Sequence, residues 1–324
     1  MMLEEHPMTL NIGIIGATGI IGRNLVEFFR EKPSVRLFLY ASPHSLTRTI
    51  TVKNQLFPVA PIGPEIFKSL DWSIFATSAP TAKEYIPHAL RHSCRVIDLS
   101  AASRLDPNVF LFCAGVNEEN FPGNVPIIAC PNCTTSLIAK VLAPLHKQFP
   151  LKGFLASTYQ SISGAGWHAV QTWKQQLTTK ISNDRSIVPL SHNCIPWIDP
   201  IENSPHTGEE ESITHESKKL LQQPDLKISA NCVRVSCERG HGIALTAQFR
   251  QNISPATIQK CLSRSPTLIH ADKTPIECTG DDHVYYSRIR AAEFPENSTS
   301  LWITGDQIAA GTIANVDGIL KKWT

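Results

Sequence analysis

A glycine-rich turn near the N-terminus constrains the fold more than any other feature of the sequence. The run Gly13-Ile-Ile-Gly16-Ala-Thr-Gly19-Ile-Ile-Gly22 follows a short apolar segment, residues 11–15, and opens a segment with a broad apolar face, residues 19–30. Glycines at such a turn let the backbone approach a pyrophosphate, and the start of the helix offers N–H groups to it. The turn predicts a β-α-β unit that binds a dinucleotide through Gly16, Ala17, Thr18, Gly19 and Ile20. Because the spacing is G-x-x-G-x-x-G and not the stricter G-x-G-x-x-G, a packing turn in another α/β protein is the alternative.

Strand and helix patterns alternate through the first half of the chain. Strands are predicted at residues 11–15, 35–40, 72–76, 95–99 and 125–129, and helices at residues 19–30, 81–91 and 134–148. This order is typical of a parallel, doubly wound sheet of the Rossmann type. From residue 153 the strand patterns are longer and more alternating, which favours a second, α+β domain on a mostly antiparallel sheet. We expect residues 1–132 and 305–324 to form the first domain, and residues 133–304 the second.

The segment after the second predicted strand bears on the choice of cofactor. Enzymes that use NAD usually place an acidic residue there, which binds the ribose hydroxyls. This chain instead has Tyr40-Ala-Ser42-Pro-His44-Ser45, with Arg48 further on. Hydroxyls and cations without an acid favour a 2′-phosphate, so we expect NADP, held in part by Ser42 and Ser45. A solvated loop that contacts no ligand is the alternative.

A cysteine stands where a strand pattern gives way to a helix pattern, in Cys130-Pro-Asn-Cys133-Thr-Thr-Ser. The unpaired N–H groups of a helix start stabilise a thiolate, and they can also hold the oxyanion that forms when the thiolate attacks a carbonyl. Cys133 is therefore a candidate nucleophile for thioester chemistry coupled to hydride transfer. A redox pair, half of a zinc site and a structural cysteine are the alternatives. The sequence has no second C-x-x-C to complete a metal site, and we expect no metal.

Two residues of the second half are candidates for acid–base chemistry and for anion binding. His241 lies between Gly240 and Gly242, which makes it easy to bring close to a substrate, and histidine transfers protons near neutral pH. Arg234 lies on a strand pattern and could clamp a carboxylate with two hydrogen bonds. An ordinary buried histidine and an ordinary ion pair are the alternatives.

Composition excludes several classes of protein. The net charge of +2 and the lack of a long basic run argue against nucleic acid and membrane partners. No apolar stretch of about 18 residues predicts a membrane span, and the N-terminus lacks the basic and apolar regions of a signal peptide. The nine scattered cysteines are an odd number, which fits reduced thiols. We therefore expect a cytoplasmic protein that acts on a small molecule.

Five short stretches together resemble the aspartate-semialdehyde dehydrogenase family. They are Gly16-Ala-Thr-Gly19-Ile-Ile-Gly22, Asp98-Leu-Ser-Ala-Ala-Ser-Arg104, Pro131-Asn-Cys133-Thr-Thr135, Gln160 with Ser163-Gly-Ala-Gly166, and Arg234 with Gly240-His241. The resemblance implies an NADP-dependent oxidoreductase that reduces L-aspartyl-4-phosphate to L-aspartate 4-semialdehyde through a cysteine thioester. That reaction belongs to the biosynthesis of lysine (by diaminopimelate), threonine and methionine. The resemblance also implies a homodimer or homotetramer, assembled through a second domain that is both catalytic and dimerising.

The same resemblance implies a role for each site residue. The catalytic residues would be the nucleophile Cys133, the general acid/base His241, and Gln160, which would orient the acyl intermediate. The substrate-binding residues would be Arg234 at the α-carboxylate, Glu210 at the amino group, and Arg104 and Asn132 at the phosphate. Besides the glycine-rich turn, the cofactor would contact Ser163, Gly164 and Asn315, the last near the nicotinamide.

The chain departs from the family at a few positions. A lysine that the family carries two positions after Glu210 is Ser212 here, so the phosphate site is expected to be built differently, with Lys218 or Lys219 as candidate substitutes. Two other functions stay open at this point. One is a sister reductase that acts on N-acetylglutamyl phosphate or glyceraldehyde phosphate, and the other is an NADP-binding paralogue without catalysis.

Overall fold

The computed structural model describes residues 9–45, 48–179, 188–201 and 204–323, which divide into two compact units. The first unit comprises the described residues up to Phe110, together with Pro122–Cys130 and Trp323. The second comprises Leu111–Phe121 and Pro131–Lys322.

The first unit is built on a seven-stranded sheet of order β5-β2-β1-β6-β7-β9-β8. The strands in chain order are β1 (Leu10–Ile15), β2 (Val35–Ala41), β3 (Thr49–Val52), β4 (Gln55–Pro58), β5 (Ala60–Pro61), β6 (Trp72–Phe75), β7 (Arg95–Asp98), β8 (Phe110–Leu111) and β9 (Ile127–Ala129). The helices are α1 (Ile20–Phe29) and α2 (Ala79–Arg91). Strand β1 pairs in parallel with β2 and β6, β6 with β7, and β7 with β9, while β3 and β4 form a separate antiparallel pair. The predicted Rossmann-type parallel sheet is confirmed.

Burial explains why the central strands carry few polar residues. All four residues of β6 are buried, as expected for a parallel strand that is covered on both faces. Phe75 packs in one cluster with Phe67 of the preceding turn and with Ala82 and Ile86 of α2. The strand and the helix that follows it are thus joined by the apolar residues that their periodicity selects.

The glycine-rich turn connects β1 to α1, and its positions are glycine for different physical reasons. Gly16 has φ +90°, and a Cβ there would lie 2.2 Å from the carbonyl oxygen of Ala76. A Cβ on Gly22 would lie 2.3 Å from the carbonyl oxygen of Gly16. Packing of the turn therefore requires both glycines. Gly19 precedes α1, and a Cβ there would meet its nearest neighbour only at 3.4 Å, an ordinary contact. Its glycine is better explained by a ligand that approaches the backbone, which fits a pyrophosphate.

The second unit is an α+β structure on a seven-stranded mixed sheet of order β11-β12-β10-β13-β16-β15-β14. Its strands are β10 (Leu151–Gln160), β11 (Cys194–Ile195), β12 (Lys227–Val235), β13 (His241–Phe249), β14 (Leu268–His270), β15 (Val284–Ala292) and β16 (Ser298–Gly305). Its helices are α3 (Cys133–Gln148), α4 (Trp167–Thr178), α5 (Gly208–Leu220), α6 (Pro255–Leu262) and α7 (Ala314–Trp323), with a π-helical turn at Ala309–Ile313. Four of the six strand pairings are antiparallel, and β10·β12 and β14·β15 are parallel. The predicted mostly antiparallel sheet is confirmed.

One face of this sheet is covered by helices, whereas the described residues leave large side chains exposed on the other. The covered face contributes Phe154 and Leu245 to a core that also contains Leu137 of α3, Ile213 of α5 and Ile258 of α6. Alternate residues of the central strands point to the other side of the sheet. We call that side the open face and define it by Leu155, Tyr159, Ala244, Thr246 and Trp302. Leu155 and Tyr159 are 40% and 39% exposed, although both are large and apolar.

The closing segment is grouped differently from the expectation that residues 305–324 return to the first domain. Residues 305–322 belong to the second unit, and so do Leu111–Phe121. The physical reason lies in buried polar contacts: the side chain of Asn315 accepts from Ala114 N at 2.9 Å and donates to Ser136 Oγ at 3.2 Å. The Nζ of Lys140 in α3 donates to Ala310 O at 2.7 Å. These bonds hold the segment against α3.

None of the helices in the described part of the chain is both long enough and apolar enough to cross a membrane.

Candidate active site

The start of α3 presents Cys133 as the first residue of the helix, as the sequence indicated. Asn132 caps it: its Oδ1 accepts from Thr134 N at 2.8 Å and from Thr135 N at 3.2 Å. The backbone N–H of Asn132 donates to the buried carboxylate of Glu216 at 2.6 Å. Asn132 is thus held on both sides, which fixes the position of the thiol beside it. The partial positive charge of a helix start favours the thiolate form of a cysteine placed there.

Strand register brings the other predicted catalytic residues to this thiol. Gln160 ends β10 and His241 begins β13, and the antiparallel register of these strands pairs Tyr159 with Gly242. Two residues 81 positions apart therefore become neighbours, with Gln160 Nε2 3.5 Å from His241 Nε2. The Nε2 of His241 lies 3.9 Å from Cys133 Sγ, which is long for a hydrogen bond but allows one when the site tightens on a substrate.

Arg234 reaches the same site because β12 runs parallel to β10 and pairs Arg234 with Gln160. Only 9% of Arg234 is exposed, and its Nη1 donates to Ser161 O at 2.8 Å. A Cβ on Gly164 would lie 2.8 Å from that Nη1, so the glycine leaves room for the guanidinium. The backbone thus fixes the guanidinium through one of its N–H groups.

A cavity of about 450 Å³ lies over these groups. Its lining includes Cys133, Gln160, Arg234, Glu209 and Trp197. One buried cation, one buried carboxylate and one thiol in a single cavity can bind a small zwitterion and attack a carbonyl on it.

The buried acidic residue in the cavity is Glu209, whereas the sequence resemblance indicated Glu210; Asp199 also lines the cavity but is exposed. The carboxylate of Glu209 accepts from Gln160 Nε2 at 2.7 Å, from Asn132 Nδ2 at 2.8 Å and from Thr134 Oγ1 at 3.2 Å. Glu210 instead closes a capping box at the start of α5, where its carboxylate accepts from Thr207 N at 3.0 Å and from Cys232 N at 3.1 Å. The pattern Thr207-x-x-Glu210 is the sequence signature of that cap, so it could have separated the two glutamates.

Burial dominates the electrostatics of His241. The ring is fully buried, and this burial, followed by the nearby Arg234 guanidinium, lowers the pKa of His241 to about 3. The imidazole is therefore neutral at pH 7.

Some of the residues expected at the substrate phosphate and at the 2′-phosphate of NADP belong to the first unit, and others belong to the second. In the first unit, Arg104 donates from Nε to Cys130 O at 3.0 Å and from Nη2 to Leu99 O at 2.8 Å. Ser42 and Ser45 follow β2, and their hydroxyls lie 3.0 Å apart. The side chain of His44 is not among the groups that the structure describes. In the second unit, neither Lys218 nor Lys219 is among the residues that line the described cavity, since both lie in the last turn of α5.

The other residues expected at the cofactor lie in the second unit. Ser163 and Gly164 form the short helical turn after β10, and Ser163 Oγ accepts from Gln307 Nε2 at 2.6 Å. Asn315 is fully buried, and its amide bonds to Ala114, Ser136 and Gly311. The Asn315 side chain is thus engaged in hydrogen bonds to other residues of the protein.

Fold and site together define a dehydrogenase of the semialdehyde class, with a nucleotide-binding unit and a thiol-bearing second unit. Family models agree with this class: the "Semialdehyde dehydrogenase, NAD binding domain" matches residues 11–123, and the "Semialdehyde dehydrogenase, dimerisation domain" matches residues 142–310. More specifically, the chain belongs to the aspartate-semialdehyde dehydrogenase family. It is 32% identical to the aspartate-semialdehyde dehydrogenase of Aquifex aeolicus over 95% of this chain and 96% of that protein.

Solved structures give the same result. The crystal structure of aspartate semialdehyde dehydrogenase II from Vibrio cholerae superposes with a TM-score of 0.87, at 27% identity, over 97% of this chain and 98% of that one. A second structure of the Vibrio cholerae enzyme, complexed with ASA, also gives a TM-score of 0.87, at 26% identity over the same shares of the two chains. The family predicted from the five sequence stretches is confirmed.

Proposed function

We propose that this chain is an aspartate-semialdehyde dehydrogenase that reduces L-aspartyl-4-phosphate to L-aspartate 4-semialdehyde with NADPH. The observation that carries the proposal is the cavity in which the Cys133 thiol at a helix start lies 3.9 Å from His241, beside one buried cation and one buried carboxylate.

The charges of the cavity match the substrate. Arg234 is the group for the α-carboxylate, because a guanidinium binds a carboxylate with two hydrogen bonds. Glu209 is the group for the α-ammonium, and it replaces Glu210 in that role. A substrate held at these two ends presents its side-chain carbonyl to Cys133. The complex of the Vibrio cholerae relative with ASA supports a ligand of this kind.

The residues divide the reaction as follows. The Cys133 thiolate attacks the acyl phosphate carbonyl, and the partial positive charge at the start of α3 stabilises the oxyanion. Phosphate leaves as the oxyanion collapses, and the acyl group remains on sulfur as a thioester. Gln160, held by Thr134 and Glu209, orients this acyl group. When bound, NADPH supplies the hydride that reduces the thioester. His241 then serves as acid/base group for the thiohemiacetal, which collapses to the aldehyde and frees Cys133.

The cofactor and phosphate sites are proposed on the same basis. NADP would lie with its pyrophosphate at residues 16–20 and its 2′-phosphate near Ser42 and Ser45, while Ser163, Gly164 and the backbone near Asn315 would lie at the nicotinamide. Arg104 and Asn132 would bind the substrate phosphate. The side chain of Asn132 caps α3 through Oδ1 and donates one N–H of Nδ2 to Glu209, so the second N–H of Nδ2 is the group proposed for the phosphate.

Assembly is proposed to be a homodimer, or a tetramer built from it, through the open face of the second sheet. That face exposes large apolar side chains, and Tyr159 and Trp302 stack on it with ring centroids 5.5 Å apart. Contiguous apolar surface of this kind marks an interface, and the matching family model is named for dimerisation. A cytoplasmic location is proposed from the nine cysteines, because none of them forms a disulfide in the described part of the chain, which contains all nine.

The test is phosphate-dependent reduction of NADP⁺ by the purified protein with L-aspartate semialdehyde. N-acetylglutamate semialdehyde, glyceraldehyde 3-phosphate and NAD⁺ serve as comparisons. We expect a rate with aspartate semialdehyde alone among the aldehydes. A rate with another aldehyde would move the chain to a sister reductase, and no rate with any of them would leave a paralogue without catalysis.

A further inference from the structure

The nitrogen of His241 that faces away from Cys133 is approached by two hydrogen-bond donors. His241 Nδ1 lies 3.2 Å from the backbone N of Ser161 and 3.2 Å from the hydroxyl of the same residue. A backbone N–H can only donate, so Nδ1 must present its lone pair to it. In a neutral imidazole the proton then belongs to Nε2, the nitrogen that faces the thiol.

A chain of buried polar groups extends this bond away from the thiol. Gly240 N donates to Gln307 Oε1 at 3.0 Å, which fixes the orientation of that amide. Gln307 Nε2 therefore donates to Ser163 Oγ at 2.6 Å. Ser163 Oγ lies 3.2 Å from Ser161 Oγ, and both serines and Gln307 are at least nine-tenths buried. Because Ser163 Oγ accepts from the amide, its hydroxyl proton can be donated to Ser161 Oγ. The hydroxyl of Ser161 can then donate its own proton to His241 Nδ1.

The opposite side of the ring is consistent with a proton on Nε2. Gln160 Nε2 is 3.5 Å away, but its two N–H groups already donate to Thr134 Oγ1 at 2.8 Å and Glu209 Oε1 at 2.7 Å. These two shorter bonds use the N–H groups of Gln160 in preference to the 3.5 Å contact with His241. The remaining neighbour on that side is Cys133 Sγ, which accepts when it is a thiolate.

We propose that Gln307, acting through Ser163 and Ser161, is a positioning residue that holds His241 as the neutral tautomer with its proton on Nε2, directed at Cys133. The statement about the tautomer stands on the hydrogen bonds alone. Its consequence for catalysis rests on the proposed function, which it narrows: in its acid/base role, His241 presents the Nε2 proton to the oxyanion of the thiohemiacetal.

The Arg234 guanidinium near His241 favours the neutral ring, whereas a Cys133 thiolate would favour the imidazolium. A backbone hydrogen bond with Gly240 also raises the pKa of His241, but burial and Arg234 outweigh it. Arg234 from β12 and Cys133 from α3 face the ring, and Glu209 from α5 is separated from it by Gln160. A second proton would have to sit on Nδ1, where it would meet the N–H of Ser161. The Arg234 guanidinium would repel the resulting cation as well.

The step that His241 assists can be written without moving its proton. Hydride adds to the thioester carbon, and the carbonyl oxygen becomes an oxyanion that accepts a hydrogen bond from Nε2–H. The electron pair of the oxyanion re-forms the C=O bond while the C–S bond breaks. Cys133 leaves as a thiolate, which then accepts the same Nε2–H bond, and the aldehyde is released.

The direct test is ¹⁵N NMR of the full-length protein labelled at histidine, because the ring nitrogen shifts distinguish the two tautomers and the cation. The chain has twelve histidines, so His241→Asn identifies the signal. We expect the Nε2–H tautomer with no titration between about pH 5.5 and 8.5. A proton on Nδ1, or an imidazolium near neutral pH, would overturn the proposal.

Gln307→Met tests the chain, because it keeps the length of the side chain and removes the donor to Ser163. We expect a mixture of tautomers, a kcat about tenfold lower and a KM for aspartate semialdehyde within about twofold of wild type. Gln259→Met is the matched control, since Gln259 is an exposed residue of α6 that contacts the exposed His270 at 3.2 Å. An unchanged tautomer and kcat in Gln307→Met would refute the role of Gln307.

The two proposals can fail separately. A protein that shows the Nε2–H tautomer but reduces NADP⁺ with no aldehyde would retain this inference and lose the proposed function. Normal activity with a proton on Nδ1 would do the reverse. If Gln307→Met does not fold, the wild-type spectrum still decides the tautomer.

Discussion

Two adjacent glutamates at the start of α5 should have separable effects, because one lies in the cavity and the other in the helix cap. We predict that Glu209→Gln impairs catalysis while Glu210→Gln lowers stability. Glu209 is 7% exposed and accepts three hydrogen bonds at the site, and it is the proposed partner of the substrate ammonium. Glu210 contacts Thr207 and Cys232 through its carboxylate, outside the residues that line the cavity.

The magnitude for Glu209→Gln follows from the bond that is lost. A hydrogen bond to a charged group contributes about 1.5–3 kcal/mol. Since 1.4 kcal/mol is a factor of ten, kcat/KM for aspartate semialdehyde should fall about 10- to 150-fold. Most of the loss should appear in KM, because the ammonium group takes no part in the chemical step. Glutamine retains the volume and one acceptor oxygen for Gln160 and Thr134, while its NH2 group replaces the oxygen that accepts from Asn132 Nδ2, so one hydrogen bond within the site is lost as well.

The magnitude for Glu210→Gln follows from the cap. Glutamine can still accept from Thr207 N with its one oxygen, so the charge at the helix start and the bond from Cys232 N are lost, which together is about 1–2.5 kcal/mol. We expect a decrease of a few degrees in the melting temperature and an unchanged kcat/KM. Steady-state kinetics and thermal unfolding of both variants give the answer. If Glu210→Gln lost the activity and Glu209→Gln kept it, the assignment of the two carboxylates would be wrong.

Three more predictions follow from the site and the turn. Cys133→Ser should lower turnover by at least about a thousandfold, since a serine hydroxyl is not ionised at a helix start, and the wild-type thiol should react with iodoacetamide more slowly when substrate is present. Normal turnover by that variant would remove the thioester route. Because burial lowers the pKa of His241 to about 3, from an ordinary 6.5, the unfolded state binds a proton that the folded state does not as pH falls below 6.5. The free energy of unfolding should therefore lose about 2 kcal/mol from this group between pH 7.5 and pH 5, and denaturant titration of wild type beside His241→Asn should show a smaller pH dependence in the variant. Gly16→Ala should lower the melting temperature, because its Cβ would lie 2.2 Å from Ala76 O, whereas Gly19→Ala should fold normally and bind NADPH more weakly in a fluorescence titration. Equal NADPH binding by Gly19→Ala and wild type would contradict the proposed pyrophosphate site.

Local patterns predicted the parts of this protein that depend on neighbouring residues. The glycine spacing and the apolar period specified β1, the turn and α1, since the required φ of Gly16 and the packing of Gly22 arise within one β-α unit. Cys133 could be placed at a helix start for the same reason, because Asn132 caps the helix through its own side chain.

The sequence identified the site residues that strand register brings together, but it did not predict their positions relative to one another. Gln160, Arg234 and His241 come from three strands, and they meet because β10 pairs with β12 on one side and β13 on the other. The short sequence motifs around these residues indicated the family. The distances and hydrogen bonds that define their chemistry follow from the pairing of strands that lie far apart in the sequence.

The sequence by itself determined the class of fold and the order of its main elements, and it indicated Cys133 as the candidate nucleophile, because these depend on periodicity and on backbone conformation over a few residues. Only the tertiary structure decided which of two adjacent glutamates enters the cavity, that residues 305–322 join the second unit, and that Gln307 is connected to His241. Adjacent residues on a helix point about 100° apart. Which of them faces a site is therefore decided by how the helix packs, and a hydrogen-bond chain exists only once distant segments are held together.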